Sequence, residues 1–195
     1  MSQGTPEQAT AVPDRRAAWL ITGIPGAGKS TVARLLARHW PRSAHVEGDL
    51  LQEMVIGGLV YPGREPVDES NRQRSLCVRN QCLLARSFAE AGFVPIMDYV
   101  VVARARLDLY RQALGDLDLF FVVLNPRPEV VLDRDRAREE KHVAHLFLYL
   151  QEEMVRELSG VGLWIDSGEL TEEETVDAIL AGEEAARLPS LGSTT

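Results

Sequence analysis

The sequence predicts an α/β domain, a parallel sheet covered by helices on both faces, and three observations predict it. Short apolar runs alternate with amphipathic stretches along the chain. A glycine-rich turn joins the first apolar run to the first amphipathic stretch. The 195 residues, 45% hydrophobic and 26% charged, suffice to bury one sizeable core, which favours a single domain.

Five runs read as strands: Ala17 to Thr22, Ala44 to Val46, Phe93 to Met97, Leu117 to Leu124 and Val161 to Ile165. The stretch Leu119-Phe-Phe-Val-Val-Leu124 has no polar alternation, as a strand covered on both faces requires. Amphipathic periodicity predicts helices over Lys29–His39, Asp49–Ile56, Glu69–Ala91, Ala103–Leu114, Pro128–Arg136, His142–Leu158 and Glu172–Gly182. Thr171 and Glu174 have the spacing of a capping box at the start of the last one. Gly57, Gly58, Pro62, Gly63 and Pro66 make residues 57–68 an irregular connection, of the kind that either holds substrate or simply crosses the surface. Residues 1–16 and 188–195 lack apolar periodicity and are expected to be disordered tails around a domain at 17–187.

Asp and Glu number 29 against 21 Lys and Arg, a net charge of -8, which argues against broad binding to nucleic acid or to an anionic membrane. No apolar run approaches the ~20 residues of a membrane helix, and the first residues lack a signal-peptide pattern, so a soluble cytoplasmic protein is expected. Cys77 and Cys82 would point about 140° apart on a helix, which excludes a disulfide between them and leaves two small core residues.

The strongest chemical signal is Gly23-Ile24-Pro25-Gly26-Ala27-Gly28-Lys29-Ser30, a complete GxxxxGK[ST] between a strand and a helix. Its glycines let successive backbone N–H groups turn inward around a polyphosphate, and the helix N-terminus adds partial positive charge. Lys29 is expected to reach the β and γ phosphates of ATP, Ser30 to ligate Mg2+ and Thr31 to lie on the α-phosphate side.

Other residues choose among the proteins that share this loop. The segment Leu124-Asn-Pro-Arg-Pro128 has no guanine-reading NKxD, no DxxG follows the third strand, and Leu158-Ser-Gly160 reads as a helix end rather than a transporter-ATPase signature. Two carboxylates stand where a phosphotransferase needs them. Asp49 follows the second strand and Asp98 ends the third, and groups at the carboxyl ends of strands in a doubly wound sheet converge on the ligand crevice. Asp98 fits a carboxylate that holds Mg2+, and Asp49 is the better candidate for the base that takes a hydroxyl proton, with Glu47 a weaker substitute. A helix-capping role competes for both aspartates, and which of them is the base stays open. Arg134 and Arg138, spaced for one helix face, would close as a lid over about residues 134–144 and clamp the phosphates, unless their acidic neighbours make an exposed salt-bridged helix. Arg72, Arg79 and Arg86 form a stripe along the third helix, flanked by Leu76 and Leu83 and by Val78 and Cys82, so that most of that helix is expected to be buried. His142 and His145 lack a third ligand nearby in sequence for a metal.

On Gly23 to Thr31, Glu47-Gly-Asp49, Asp98 and the Arg134/Arg138 pair, the chain resembles the small P-loop phosphotransferases, among them gluconate kinase, chloramphenicol phosphotransferase, zeta-toxin kinases and tunicamycin-resistance proteins. The resemblance spans about Ala17 to Glu183. It implies the P-loop NTPase fold with a five-stranded parallel sheet in the order 2-3-1-4-5, ATP and Mg2+ on the P-loop, an arginine lid and an acceptor hydroxyl near Asp49. Leu50-Leu51-Gln52 stands where gluconate kinases carry Leu-His, which argues against gluconate as the acceptor. The activity expected is transfer of the γ-phosphoryl group of ATP to a sugar, nucleoside or antibiotic hydroxyl; the sequence leaves the oligomeric state open between monomer and homodimer. The alternative is an ATP-binding resistance or regulatory protein that sequesters its ligand with little turnover; a nucleic-acid end kinase is less favoured given the acidic charge.

Overall fold

The computed structural model describes residues 17–136 and 148–188. Its central sheet contains β1 (Ala17–Thr22), β2 (Ser43–Glu47), β3 (Val94–Asp98), β4 (Asp118–Leu124), β5 (Leu163–Ile165) and β6 (Arg187–Leu188). The first five are parallel in the order β2-β3-β1-β4-β5. The short β6 was not anticipated. It runs antiparallel to β4 and pairs Leu188 with Leu119, so Leu188, whose composition groups it with the tail, belongs to the sheet.

The helices are α1 (Lys29–Ala37), α2 (Gly48–Glu53), α3 (Val67–Glu90), α4 (Arg104–Leu114), α5 (Pro128–Arg136), α6 (Tyr149–Leu158), α7 (Glu172–Ala181) and α8 (Glu183–Ala186). The predicted capping box opens α7: the Thr171 hydroxyl accepts from the Glu174 N–H and the Glu174 carboxylate accepts from the Thr171 N–H. Among the described residues no helix is long and apolar enough to cross a membrane.

Two apolar layers sandwich the sheet. On one face Trp19, Ile21, Ile96, Phe120 and Val122 pack against Val32, Ala33 and Leu36 of α1 and Ile179 of α7. On the other, Leu20, Met97, Phe121 and Val123 meet Cys77, Val78 and Cys82 of α3 and Leu107, Tyr110 and Leu114 of α4. Both cysteines are free and buried, and loss of hydration pushes their thiols up to about 11 and about 12, which keeps them protonated.

The helix α3 corrects one expectation. Its buried face carries Ser70, Gln73 and Gln81 among the apolar residues, whereas Leu76, Leu83 and Leu84 are exposed. The arginine stripe lies on the solvated side, with Arg72 paired to Glu69 one turn earlier and Arg86 bonded to the Leu114 carbonyl and Asp116.

Candidate functional site

The strand β1 delivers the chain to the carboxyl edge of the sheet at Thr22, where the GxxxxGK[ST] loop begins. Gly23 has φ 152, and a Cβ there would lie 2.6 Å from the Leu124 carbonyl oxygen, so only glycine fits between the loop and β4. The loop turns on the Ala27 N–H donating to the Ile24 carbonyl at 3.1 Å. Gly26 and Gly28 adopt φ of 91 and 95, and Gly28 caps α1. No acidic residue occupies the first turn of α1, so its positive end is left uncancelled at the loop. Lys29 is buried and its Nζ donates to the Ile24 carbonyl at 3.2 Å; Ser30 is half-buried behind it and Thr31 exposed. Val131 of α5 packs on Ile24.

Beside this loop a pocket of about 180 Å3 lies between Gly26, Gly28 and Thr31 on one side and Ser167, Leu170 and Thr175 on the other. Residues 167–170 follow β5, and the sequence offered no motif for them; only their position after the last parallel strand could have flagged them.

The structure brings both aspartates to the same edge. Asp98 is the last residue of β3, paired in register with Glu47 of β2 and Ile21 of β1, and 2% exposed. The next helix starts at Arg104 with Ala103 as its cap, so Asp98 is not a helix cap. His45 Nε2 lies 3.5 Å from its Oδ2, and neither atom completes a hydrogen bond among the described residues. His45 was not singled out by sequence; that it shares a strand face with Glu47 was the available signal.

Asp49 sits exposed in the first turn of α2, whose N-cap is Glu47. Its carboxyl is held above the usual value, first by partial loss of hydration and then by the charges of Asp98, Glu47 and Glu53, against the pull of Lys29. Lys29, Asp49 and Asp98 therefore share one electrostatic neighbourhood. Glu47 is engaged elsewhere, 2.7 Å from Arg34 of α1, which weakens its claim as a substitute for Asp49.

Buried polar bridges lock this edge. Gln81 Nε2 donates to the Val46 carbonyl at 2.6 Å and the Asp98 carbonyl at 2.9 Å, and its Oε1 accepts from the Tyr110 hydroxyl. The Thr22 hydroxyl donates to the Val101 carbonyl and accepts from the Val101 N–H, tying the end of β1 to the loop leaving β3. Gly48 lies under the Tyr99 ring, where a Cβ would come within 2.4 Å, and the Tyr99 hydroxyl donates to Gln52 Oε1. The backbone of Arg134 belongs to α5, but its side chain, together with Arg138, His142, His145 and the rest of the expected lid, lies outside the described residues.

Among the described residues no cluster of three or more His, Cys, Asp or Glu forms a metal cage. The Ser30 hydroxyl and the unsatisfied Oδ2 of Asp98 are oxygen donors of the kind that would suit Mg2+.

A family model described as an AAA domain matches residues 20–158. The chain belongs to this family. No curated protein matches it. Solved structures similar to this AAA-domain protein include a sugar kinase from Janibacter sp. HTCC2649, at 19% identity and TM-score 0.65 over 87% of this chain and 95% of that one. A gluconokinase from Sinorhizobium meliloti 1021 aligns at 20% identity and TM-score 0.64 over 87% and 92%. The tunicamycin resistance protein of Deinococcus radiodurans aligns at 22% identity and TM-score 0.63 over 90% and 99%. The fold of this AAA-domain protein is thus that of the small P-loop kinases, with the 2-3-1-4-5 order of parallel strands.

Proposed function

We propose that this protein is an ATP-dependent phosphotransferase that moves the γ-phosphoryl group of ATP to a hydroxyl of a small molecule, a sugar, nucleoside or antibiotic. The observation that carries this reading is the shared neighbourhood of Lys29, Asp49 and Asp98 at the mouth of the P-loop.

In this reading the amides of Gly23, Ile24, Pro25-Gly26, Ala27, Gly28 and Lys29 to Thr31 cradle the phosphates, proline contributing no N–H of its own. Lys29 exchanges its bond to the Ile24 carbonyl for the β and γ oxygens. Ser30 and Asp98 hold Mg2+, which when bound neutralises charge on the β and γ oxygens. Asp49 orients the acceptor hydroxyl and takes its proton as the new O–P bond forms; the bond from the γ phosphorus to the β–γ bridging oxygen breaks, and ADP leaves with that electron pair. The raised affinity of Asp49 for a proton makes it a better base than an ordinary surface aspartate. Arg134 and Arg138 close over the transferred group.

Transfer of labelled phosphate from ATP to a panel of polyols, nucleosides and aminoglycoside-type alcohols tests the reading. Lys29→Ala and Asp49→Asn are expected to lower turnover by about 10²–10⁴. Turnover equal to wild type in both variants, or none with any acceptor, contradicts it.

A further inference from the structure

The sheet edge at the proposed centre carries one more pair of groups, on β2 and β3. The register of these parallel strands sets Glu47 beside Asp98, and His45, two residues before Glu47, projects to the same face of the sheet. That face is the one covered by α1: Val94 and Ile96, on Asp98's side of β3, pack in the layer with Val32, Ala33 and Leu36. The His45 Nε2 atom lies 3.5 Å from Asp98 Oδ2, and the two side chains are 15% and 2% exposed.

Both atoms are buried and lack a hydrogen-bond partner among the described residues. Leaving a carboxylate oxygen and a ring nitrogen unpaired in a buried position costs free energy, and these two can satisfy each other. A closure of about 0.5 Å brings them to the ordinary length of an N–H···O bond. The neighbouring carboxylate does not compete for the imidazole, because Glu47 is held 2.7 Å from Arg34 of α1. The backbone beneath the pair is fixed from the opposite face of the sheet. There Gln81 Nε2 donates to the carbonyls of Val46 and Asp98 and ties the strand of His45 to that of Asp98.

An ionised carboxylate offers about four lone-pair sites on its two oxygens. One bond from His45 stops its rotation about the Cβ–Cγ bond and leaves the other sites for a cation. Donors that stand behind a metal-binding carboxylate in this way typically change metal affinity by about 10–100-fold.

We infer that His45 is a positioning residue: its Nε2–H donates to Asp98 Oδ2 and sets that carboxylate at the angle that receives Mg2+ beside the P-loop. His45 acts only through Asp98. The inference rests on the assignment of Asp98 to the metal within the phosphotransferase reading, and it extends that reading to a residue no motif marks.

The affinity of the full chain for AMPPNP, measured by titration calorimetry at one pH with Mg2+ and again in EDTA, tests it. The ratio of the two affinities is the coupling between metal and nucleotide. Binding of Mg2+ to free AMPPNP is the same for every variant and cancels when variants are compared. His45→Met and His45→Gln fill similar volumes, and only the glutamine donates. The methionine variant is expected to lower the coupling about ten-fold or more, with affinity in EDTA unchanged, and the glutamine variant to stay within about three-fold of wild type. His45→Ala, which also lacks a donor, is measured alongside and is expected to match methionine. Asp98→Asn is expected to lower the coupling at least as far, and His45→Met on that background to lower it no further.

A glutamine variant as impaired as methionine, an equal loss in EDTA, or a further loss on the Asp98→Asn background marks a structural histidine and overturns the inference. Coupling unchanged in His45→Met and His45→Ala but lost in Asp98→Asn overturns it and leaves the phosphotransferase reading standing. Coupling unchanged in Asp98→Asn overturns the metal assignment and the inference with it. Coupling as expected in every variant, with no phosphoryl transfer to any acceptor, counts against the phosphotransferase reading and leaves the role of His45 standing.

Discussion

The two halves of the cleft are built differently. The phosphate side is one contiguous stretch, Gly23 to Thr31, in which backbone torsions and a helix end provide the binding groups. The other side of the proposed site is assembled from Asp49, Gln81, Asp98 and Tyr99, which come from separate segments and are held by side-chain bonds. A site made of local backbone is written as a motif and tolerates little change in its glycines and lysine. A site made of distant side chains has no motif, and its specificity can change while the fold stays the same. That contrast is consistent with solved structures at about one-fifth identity that share this fold under different printed names.

The largest effect that sharpens the comparison is at the seam between the halves. Asp49→Asn is expected to cost about 10³ in turnover yet to raise stability near neutral pH. The sign follows from its raised pKa: the charged form is disfavoured in the folded state, so ionised Asp49 destabilises the fold above its own pKa, and the penalty fades as pH falls towards 3.8, the ordinary value. Thermal melts of both proteins at pH 7 and pH 3.5 check this; a variant that melts lower at pH 7 breaks it.

Next comes the side-chain half. Gln81→Leu leaves two buried carbonyls and the Tyr110 hydroxyl without their partner and is expected to cost about 3 kcal/mol, read as a fall of roughly 9 °C in melting temperature. A leucine variant as stable as wild type would mean the β2–β3 edge does not depend on this bridge. In the backbone half, Gly23→Ala drives a Cβ into the Leu124 carbonyl and is expected to cost about 2 kcal/mol and to abolish binding of ATP analogues, measured by denaturation and calorimetry. Retained binding would show that the loop is not held by that close approach. The smallest effect is Arg72→Ala. On the solvated side of α3, with its guanidinium paired among the described residues to Glu69, it is expected to stay within about 0.5 kcal/mol of wild type. A larger loss would place the arginine stripe in the site after all.

The same contrast decides what could be read in the sequence. Strands β1 and β4 and the P-loop were legible because each is specified by adjacent residues: apolar runs for the strands, glycine spacing for the loop. Asp49 and Asp98 were legible because both follow strands, and a doubly wound sheet sends strand ends to one edge. The face of α3 was misjudged because Gln73 and Gln81 count as polar in a periodicity argument, although Gln81 is fully buried once it finds the Val46 and Asp98 carbonyls. Leu76 and Leu83 count as apolar but are exposed among the described residues. The two-residue β6 is too short for any pattern, and its pairing with Leu119 depends on where α8 returns the chain. His45 and Asp98 stand on different strands, and only the parallel pairing of β2 with β3 makes them neighbours.

The most direct test of the central claim is a crystal structure of the protein with AMPPNP and Mg2+. The account predicts the triphosphate in the amides of Gly23 to Thr31, the metal between Ser30 and Asp98, and the γ phosphate facing Asp49 across a gap that one hydroxyl group fills. A γ phosphate turned away from Asp49, or a metal held without Asp98, would contradict it.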